Sequence, residues 1–298
     1  MSEDLVIYGD TDSCYVNIEN FILNNIQNKN NWYKIPDDKK LDIVKRISKQ
    51  MEDNINKRIF RETQIGDYNS QVKDFKIGFK QEIIARSALF IKKKKYAYWV
   101  IDDEGTPVDK ISVTGLEIVR SDTAQAVRPM LKHIMEMILK QHPDKKINEQ
   151  IQKYKKELKK LTPEDLSANI GINNLEKYLS TGSPIKGTPW HIKGVHNYRI
   201  LLKELNLQDR YEDIHEGMKA RVVYVRKNQF NVDSITFNEW PDEFNKVVSF
   251  DTDKMIEKFF LKKINTLLEP MNKENLLRED TKKKIDLFFW KVNEKWVR

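Results

Sequence analysis

Apolar residues recur at three- and four-residue intervals along 38–62, where Leu41, Val44, Ile47, Met51, Ile55 and Ile59 share one face. That spacing predicts an amphipathic helix able to cover one face of a sheet. Before it, Leu5–Tyr8 and Ser13–Ile18 are two β-rich runs around Gly9-Asp10-Thr11-Asp12, the pattern of a hairpin with a polar tip. After it, Asp74–Ala85 and Leu89–Ile101 read as strands, and Asp102-Asp103-Glu104-Gly105 as the next turn. Beyond Arg120 the pattern turns helical. Ser121 or Asp122 is placed to cap a helix reaching Gln141, Lys145–Leu161 is a second and heavily charged one, and Thr162-Pro163 opens a short third. Gly182, Pro184, Gly187 and Pro189 mark a loop. Val195–Leu205 then reads as helix, Ala220–Phe237 alternates like a hairpin turning at Lys227-Asn228, and Asp253–Leu268 returns to helix. The expected class is α+β: an antiparallel sheet with helices over 1–120, then a mostly helical part with a β-hairpin over 121–298.

Composition narrows the function. With 39% hydrophobic and 10% aromatic residues in 298, the chain can bury a core, and its 33% charged content comes without the aromatic poverty of disorder. It holds no run of eighteen apolar residues, and Met1-Ser2-Glu3-Asp4 has neither a basic nor an apolar leader character. A cytoplasmic protein is the expectation. Cys14 is a single cysteine, which excludes an intramolecular disulfide and a cysteine-based zinc site, and the five histidines lack zinc spacing. The net charge of +8 suggests an anionic partner such as nucleic acid. Residues 1–120 carry 20 basic and 19 acidic side chains, leaving 33 and 26 beyond them. Within 76–96, however, seven basic groups face one acid, Glu82.

Asp10 and Asp12 stand two apart, so in an extended segment both carboxylates project to one side and can converge on a cation. Hard oxygen ligands favour Mg²⁺, and phosphoryl or nucleotidyl transfer uses two such ions held by acidic side chains. Taken alone, an Asp-Thr-Asp triplet favours a polar turn. The wider string decides: Tyr8-Gly9-Asp10-Thr11-Asp12-Ser13 resembles the YGDTDS palm motif of family B DNA polymerases. Further resemblances follow in the same order. Lys93-Lys94-Lys95-Tyr96 is similar to the KKxY motif, Gly115–Arg120 to the segment that closes the palm, and Pro189–Val195 with Tyr198-Arg199 to the thumb of T-even-type phage polymerases.

The resemblance implies a partial palm over 1–120 and a thumb over 121–298. It makes Asp12 the principal ligand of a two-ion Mg²⁺ site, with Asp10 supporting it. Glu82 falls where the family places an acidic palm residue, although a surface pair with Lys80 explains it equally. By the same resemblance Lys93, Lys94 and Tyr96 touch the primer end or the adjoining minor groove, the alternation of a strand turning half of these lysines toward the duplex. Lys193, Tyr198 and Arg199 belong to a basic, acid-free stretch from 186 to 203, and Lys219, Arg221, Arg226 and Lys227 to another, both suited to a duplex backbone. Two uses remain open for His191 and Tyr198, as DNA contacts or as core residues with satisfied polar ends.

A second Asp-Thr-Asp, at 251–253, precedes an amphipathic helix and reads as its cap rather than as a metal site. Near the end, Ile285, Phe288 and Phe289 resemble a sliding-clamp-binding peptide, and short aliphatic–aromatic turns also pack on their own domain. The sequence contains neither DxxSLYPS nor KxxxNSxYG, the family's first palm and fingers motifs. The expectation is therefore a carboxy-terminal polymerase subunit in the cytoplasm of an infected cell, its partners being primer–template DNA, a deoxynucleoside triphosphate, an amino-terminal subunit and a sliding clamp. The alternative is a non-catalytic duplex-binding or processivity protein derived from a polymerase.

Overall fold

The computed structural model describes residues 5–10, 12–65, 78–116 and 123–277. The chain divides into two compact units, Met1–Arg86 with Val100–Lys110 and Ser87–Trp99 with Ile111–Arg298. The α+β class is observed.

In the first unit, β1 (Val6–Gly9) pairs antiparallel with β2 (Cys14–Val16), Gly9 opposite Cys14 and Tyr8 opposite Tyr15. Two short helices follow, α1 (Ile18–Asn25) and α2 (Lys29–Lys34). The Asn17 and Asn28 side chains cap them, each accepting an N–H of its first turn at 3.0 Å. Trp32 is buried and donates its indole N–H to Glu19 at 2.9 Å. The predicted amphipathic helix is α3 (Asp37–Ile65).

Of the strand expected over 74–85, residues 74–77 lie outside the described residues. Among the described residues 78–82 are not strand, because α3 side chains already hold their backbone: the Asn56 amide bonds both the N–H and the C=O of Phe79 (2.7 and 2.8 Å), and Glu52 accepts Gln81 N–H at 2.9 Å. Then come β3 (Ile83–Lys92), β4 (Lys95–Asp103) and β5 (Thr106–Thr114), in the order β3-β4-β5. Glu104 and Gly105 form the predicted turn, both at positive φ (51° and 90°), which suits a tight hairpin. Asp102 is fully buried. It accepts Gly105 N–H at 2.9 Å and pairs with Lys45 of α3 at 2.5 Å, so helix and turn are joined by an ion pair.

The second unit has an extensive apolar core. Its first helix, α4 (Val127–Leu139), starts six residues after Ser121, and 123–126 are a turn. That start leaves Pro129 in the first turn, where a missing N–H costs nothing; a helix from 121 would hold it in the interior. The next two helices, α5 (Asp144–Leu158) and α6 (Pro163–Leu166), follow as predicted, α6 capped by Thr162. Neither β6 (Ala168–Gly171) nor α7 (Leu175–Leu179) was expected from the sequence. The helix expected from Val195 is α8 (Trp190–Glu204), five residues longer at its start. The strands β7 (Lys219–Tyr224) and β8 (Ser234–Phe237) pair antiparallel as the predicted hairpin, but its turn falls at Gln229-Phe230 rather than Lys227-Asn228, where the Asn228 side chain bonds the loop backbone instead; β6 pairs with β7 to complete a second three-stranded sheet. Gly194 explains how α8 lies so close to it: a Cβ there would stand 2.3 Å from Thr236 Oγ1. The final helical run is α9 (Thr252–Ile256), a π turn over Glu257–Leu261, and α10 (Lys262–Leu268). Among the described residues no helix is long and apolar enough to cross a membrane.

Candidate functional site

Asp10 and Asp12 lie in the turn between β1 and β2, not in extended strand, so strand alternation is not what orients them. The turn is closed by the Asp10 N–H donating to Ser13 O at 2.9 Å. Tyr8 reaches the turn with its hydroxyl, which donates to an Asp10 carboxylate oxygen at 3.4 Å, and its ring lies 5.9 Å from that of Tyr15. Asp12 is exposed and makes no hydrogen bond or ion pair with the described residues. Among the described residues no cluster of three acidic, His or Cys side chains forms. Glu82 is exposed, and its C=O accepts Glu104 N–H at 2.7 Å. The proposed surface pair with Lys80 is not made, since Lys80 pairs with Glu104 at 3.2 Å.

The basic run of the second unit also differs in setting. Lys93 and Lys94 form the two-residue turn between β3 and β4, both exposed, with Lys94 at φ 58°. The strand alternation expected of them is absent because they are the bend itself. Gly115 makes that bend possible: it sits at φ 63°, and a Cβ on it would lie 2.0 Å from the Lys94 carbonyl oxygen. Tyr96 stands on β4 beside the turn, 5.5 Å from Phe90 and stacked on Tyr98 at 5.9 Å and 17°.

On α8 three- and four-residue spacing sets the buried face. Gly194, Val195, Tyr198, Leu201 and Leu202 form the buried stripe. Tyr198 is 1% exposed, its ring edge-on to Phe244, and its hydroxyl donates to Glu212 O at 3.4 Å. Burial is the main reason its pKa is pushed up to about 12, with the Asp213 carboxylate adding to it. Tyr198 is thus a core residue, not a surface for DNA. Arg199 is engaged within the fold, donating to Asp213 at 2.8 Å and to Ile214 O at 2.9 Å. His191 is partly exposed, and burial of its ring holds its pKa below the ordinary histidine value. Lys193 is half-buried and forms no ion pair with the described residues. Asp251 caps α9 by accepting Lys254 N–H at 3.1 Å, and Asp253 takes Lys159 at 3.0 Å and Arg226 at 3.2 Å, so the second Asp-Thr-Asp is structural, as read. Ile285, Phe288 and Phe289 lie outside the described residues.

Residues 3–229 match the family model for DNA polymerase family B. The chain belongs to that family. Among curated proteins it is similar to the DNA-directed DNA polymerase of Escherichia phage RB69, 27% identical over 283 residues, which is 87% of this chain and 29% of that protein. It is also similar to the DNA-directed DNA polymerase of Enterobacteria phage T4, 25% identical over 287 residues, 90% of this chain and 30% of that protein. This family B chain therefore spans less than a third of the length of either relative.

Its carboxylate turn suits Mg²⁺. That ion is commonly held by one or two carboxylates and completes its shell with water and substrate phosphates, and Asp12 presents an exposed oxygen donor beside Asp10. The Gly115 approach and the Gly194 approach escaped sequence reasoning. Glycine in a loop-like context signals flexibility as readily as close contact, and only the three-dimensional neighbour tells the two apart.

Proposed function

We propose that this chain is the carboxy-terminal part of a phage-type family B DNA polymerase, the second portion of the palm followed by the thumb, working with an amino-terminal polymerase subunit. The observation that carries the proposal is the closed turn at Asp10–Ser13, which sets two carboxylates at the tip of a hairpin inside the region matched to the family. Asp12 holds Mg²⁺ with Asp10 in support and Glu82 as an acidic neighbour. When bound, a pair of such ions stabilises the attacking and leaving oxygens of nucleotidyl transfer. Two carboxylates do not suffice for both ions, so the remaining ligands, the fingers and the nucleotide pocket come from the amino-terminal subunit. The Lys93–Lys94 turn, Tyr96 and Lys193 meet the primer–template backbone, while Tyr198 and Arg199 stand behind that surface and hold its shape. Such contacts position the duplex without reading its sequence.

The test is reconstitution. The purified chain alone extends no primer with Mg²⁺, and adding the amino-terminal subunit restores extension. Extension by the chain alone, abolished in Asp12→Ala, would refute the composite site. The same assembly tests the terminal peptide: changing Phe288 and Phe289 to Ala removes clamp-stimulated long synthesis and spares short extension if they seat on a sliding clamp. Parallel loss of both activities and of thermal stability assigns them to the chain's own core.

A further inference from the structure

The run from α9 through the π turn to α10 carries Lys254, Lys258 and Lys262 at four-residue steps, a spacing that makes successive side chains neighbours on a helical surface. Their surroundings differ. Lys254 is half-buried and lies over the Tyr224 ring, its Nζ 4.1 Å from the centroid. Lys262 is exposed and has a carboxylate of its own, Glu257, at 3.8 Å. Lys258 is exposed between them and forms no ion pair with the described residues. The other charges nearby are Lys159 of α5 and Arg226, held by Asp253 at 3.0 and 3.2 Å, and Lys155.

Like charges at this spacing weaken an isolated helix, so the triplet does not serve stability. Its chemistry is that of a lysine that gives up its proton readily. Lys262 above all, with Lys254 adding to it, holds the Lys258 ammonium below the ordinary lysine range, and Glu257 opposes them. A neutral amine is a nucleophile where an ammonium is not, and a cation beside a lysine favours the neutral form. The same neighbours attract anions, so the electrophile that fits carries negative charge next to a reactive carbonyl.

We infer that Lys258 is a modification site acylated directly by small acyl phosphates, with Lys262 as the residue that activates it and steadies the departing phosphate. The Lys258 Nζ lone pair attacks the acyl carbon and an amide C–N bond forms. The bond from the acyl carbon to the phosphate oxygen breaks, and phosphate leaves with that electron pair and takes up the proton lost by the amine. Nothing is oxidised or reduced. The product is an N-acyl lysine without its positive charge. The inference is independent of the polymerase reading.

The experiment incubates the full chain with acetyl phosphate and follows individual lysines over time by peptide mass spectrometry. Lys258 acetylates several-fold faster than the exposed Lys57, Lys132 and Lys246. Lys262→Gln lowers Lys258 to their rate, whereas Lys262→Arg keeps the cation and preserves the advantage, both variants melting at the wild-type temperature. An uncharged donor, the N-hydroxysuccinimide ester of acetate, favours Lys258 by a smaller factor. Acetylation of Lys258 at the rate of the three reference lysines, or a fast rate that survives Lys262→Gln, would overturn the inference. An equal preference with both donors would overturn the assignment of an anionic one.

Discussion

The two units are held together by different forces. Among the described residues, the first buries few apolar side chains, Ile22, Trp32, Ile84 and Val100, and exposes Val6, Ile7, Tyr33, Phe60 and Phe79. Side-chain links do much of the joining: Lys45 to Asp102, Glu52 to Gln81, Asn56 to Phe79 and Arg86 to Asp37. The second unit has a contiguous core that includes Leu131, Ile151, Tyr198, Phe237, Phe244 and Phe260. A self-sufficient core suits a unit that grips a ligand. Exposed Val6 and Ile7 on β1, the strand leading into the candidate metal turn, suit a surface that further protein covers, as the function proposed above requires.

This contrast breaks most readily with buried groups. Phe244→Ala empties a fully buried ring site of the second unit and costs about 3–5 kcal/mol in denaturant unfolding, while amide protection in the first unit stays the same. Lys45→Met is the matching lesion in the first unit. It leaves Asp102 charged and buried and costs about 3–5 kcal/mol there, read as lost hydrogen-exchange protection of the Asp102–Gly105 turn. If Lys45→Met proved neutral, the claim that polar links hold the first unit would be wrong.

Gly115→Ala has a narrower effect. A side chain at positive φ that also meets the Lys94 carbonyl costs about 1–3 kcal/mol and weakens duplex binding through the displaced Lys93–Lys94 bend. Helix α3, the β1–β2 hairpin and the YGDTDS string were legible because periodicity and local composition carry them. The Lys93–Lys94 bend was not: four lysines and three aromatics look like continuous strand, and the residue that permits the bend is twenty-one positions further on. The sequence leaves Tyr198 open between a DNA contact and a core residue, and its three- and four-residue spacing to Val195, Leu201 and Leu202 on α8 puts it on the buried stripe. For Asp10 and Asp12 the motif named the candidate site, while their turn geometry follows from a hydrogen bond between Asp10 and Ser13 that no spacing rule contains.

The two units also separate by pH, with smaller effects. Asp37 is held below the ordinary carboxylate range first by its hydrogen bond from Arg86, and Glu52 by those from Lys49 and the Gln81 N–H. Their contribution is present above the unfolded pKa of about 4 and is lost as pH falls through the depressed folded values. Exchange protection in the first unit should therefore decline as pH falls below about 4, and Asp253 of the second unit, held low first by its hydrogen bond from Lys159, responds in the same direction. Tyr198 acts in the opposite direction. Its folded pKa of about 12 lies above the unfolded value of about 10, so its contribution is complete below pH 10 and fades as pH rises toward the folded value. Alkaline unfolding of the second unit, followed by tyrosinate absorbance, checks this, and Tyr198→Phe flattens the change.

The central claim is that the hairpin turn of this chain carries the metal-binding carboxylate of a polymerase. The direct measurement is primer extension by the chain assembled with its amino-terminal subunit, comparing wild type with Asp12→Asn. Asp12 is exposed and bonded to no described residue, so the variant should keep its melting temperature, its subunit assembly and its duplex affinity while losing extension. Extension at the wild-type rate by Asp12→Asn would contradict the account.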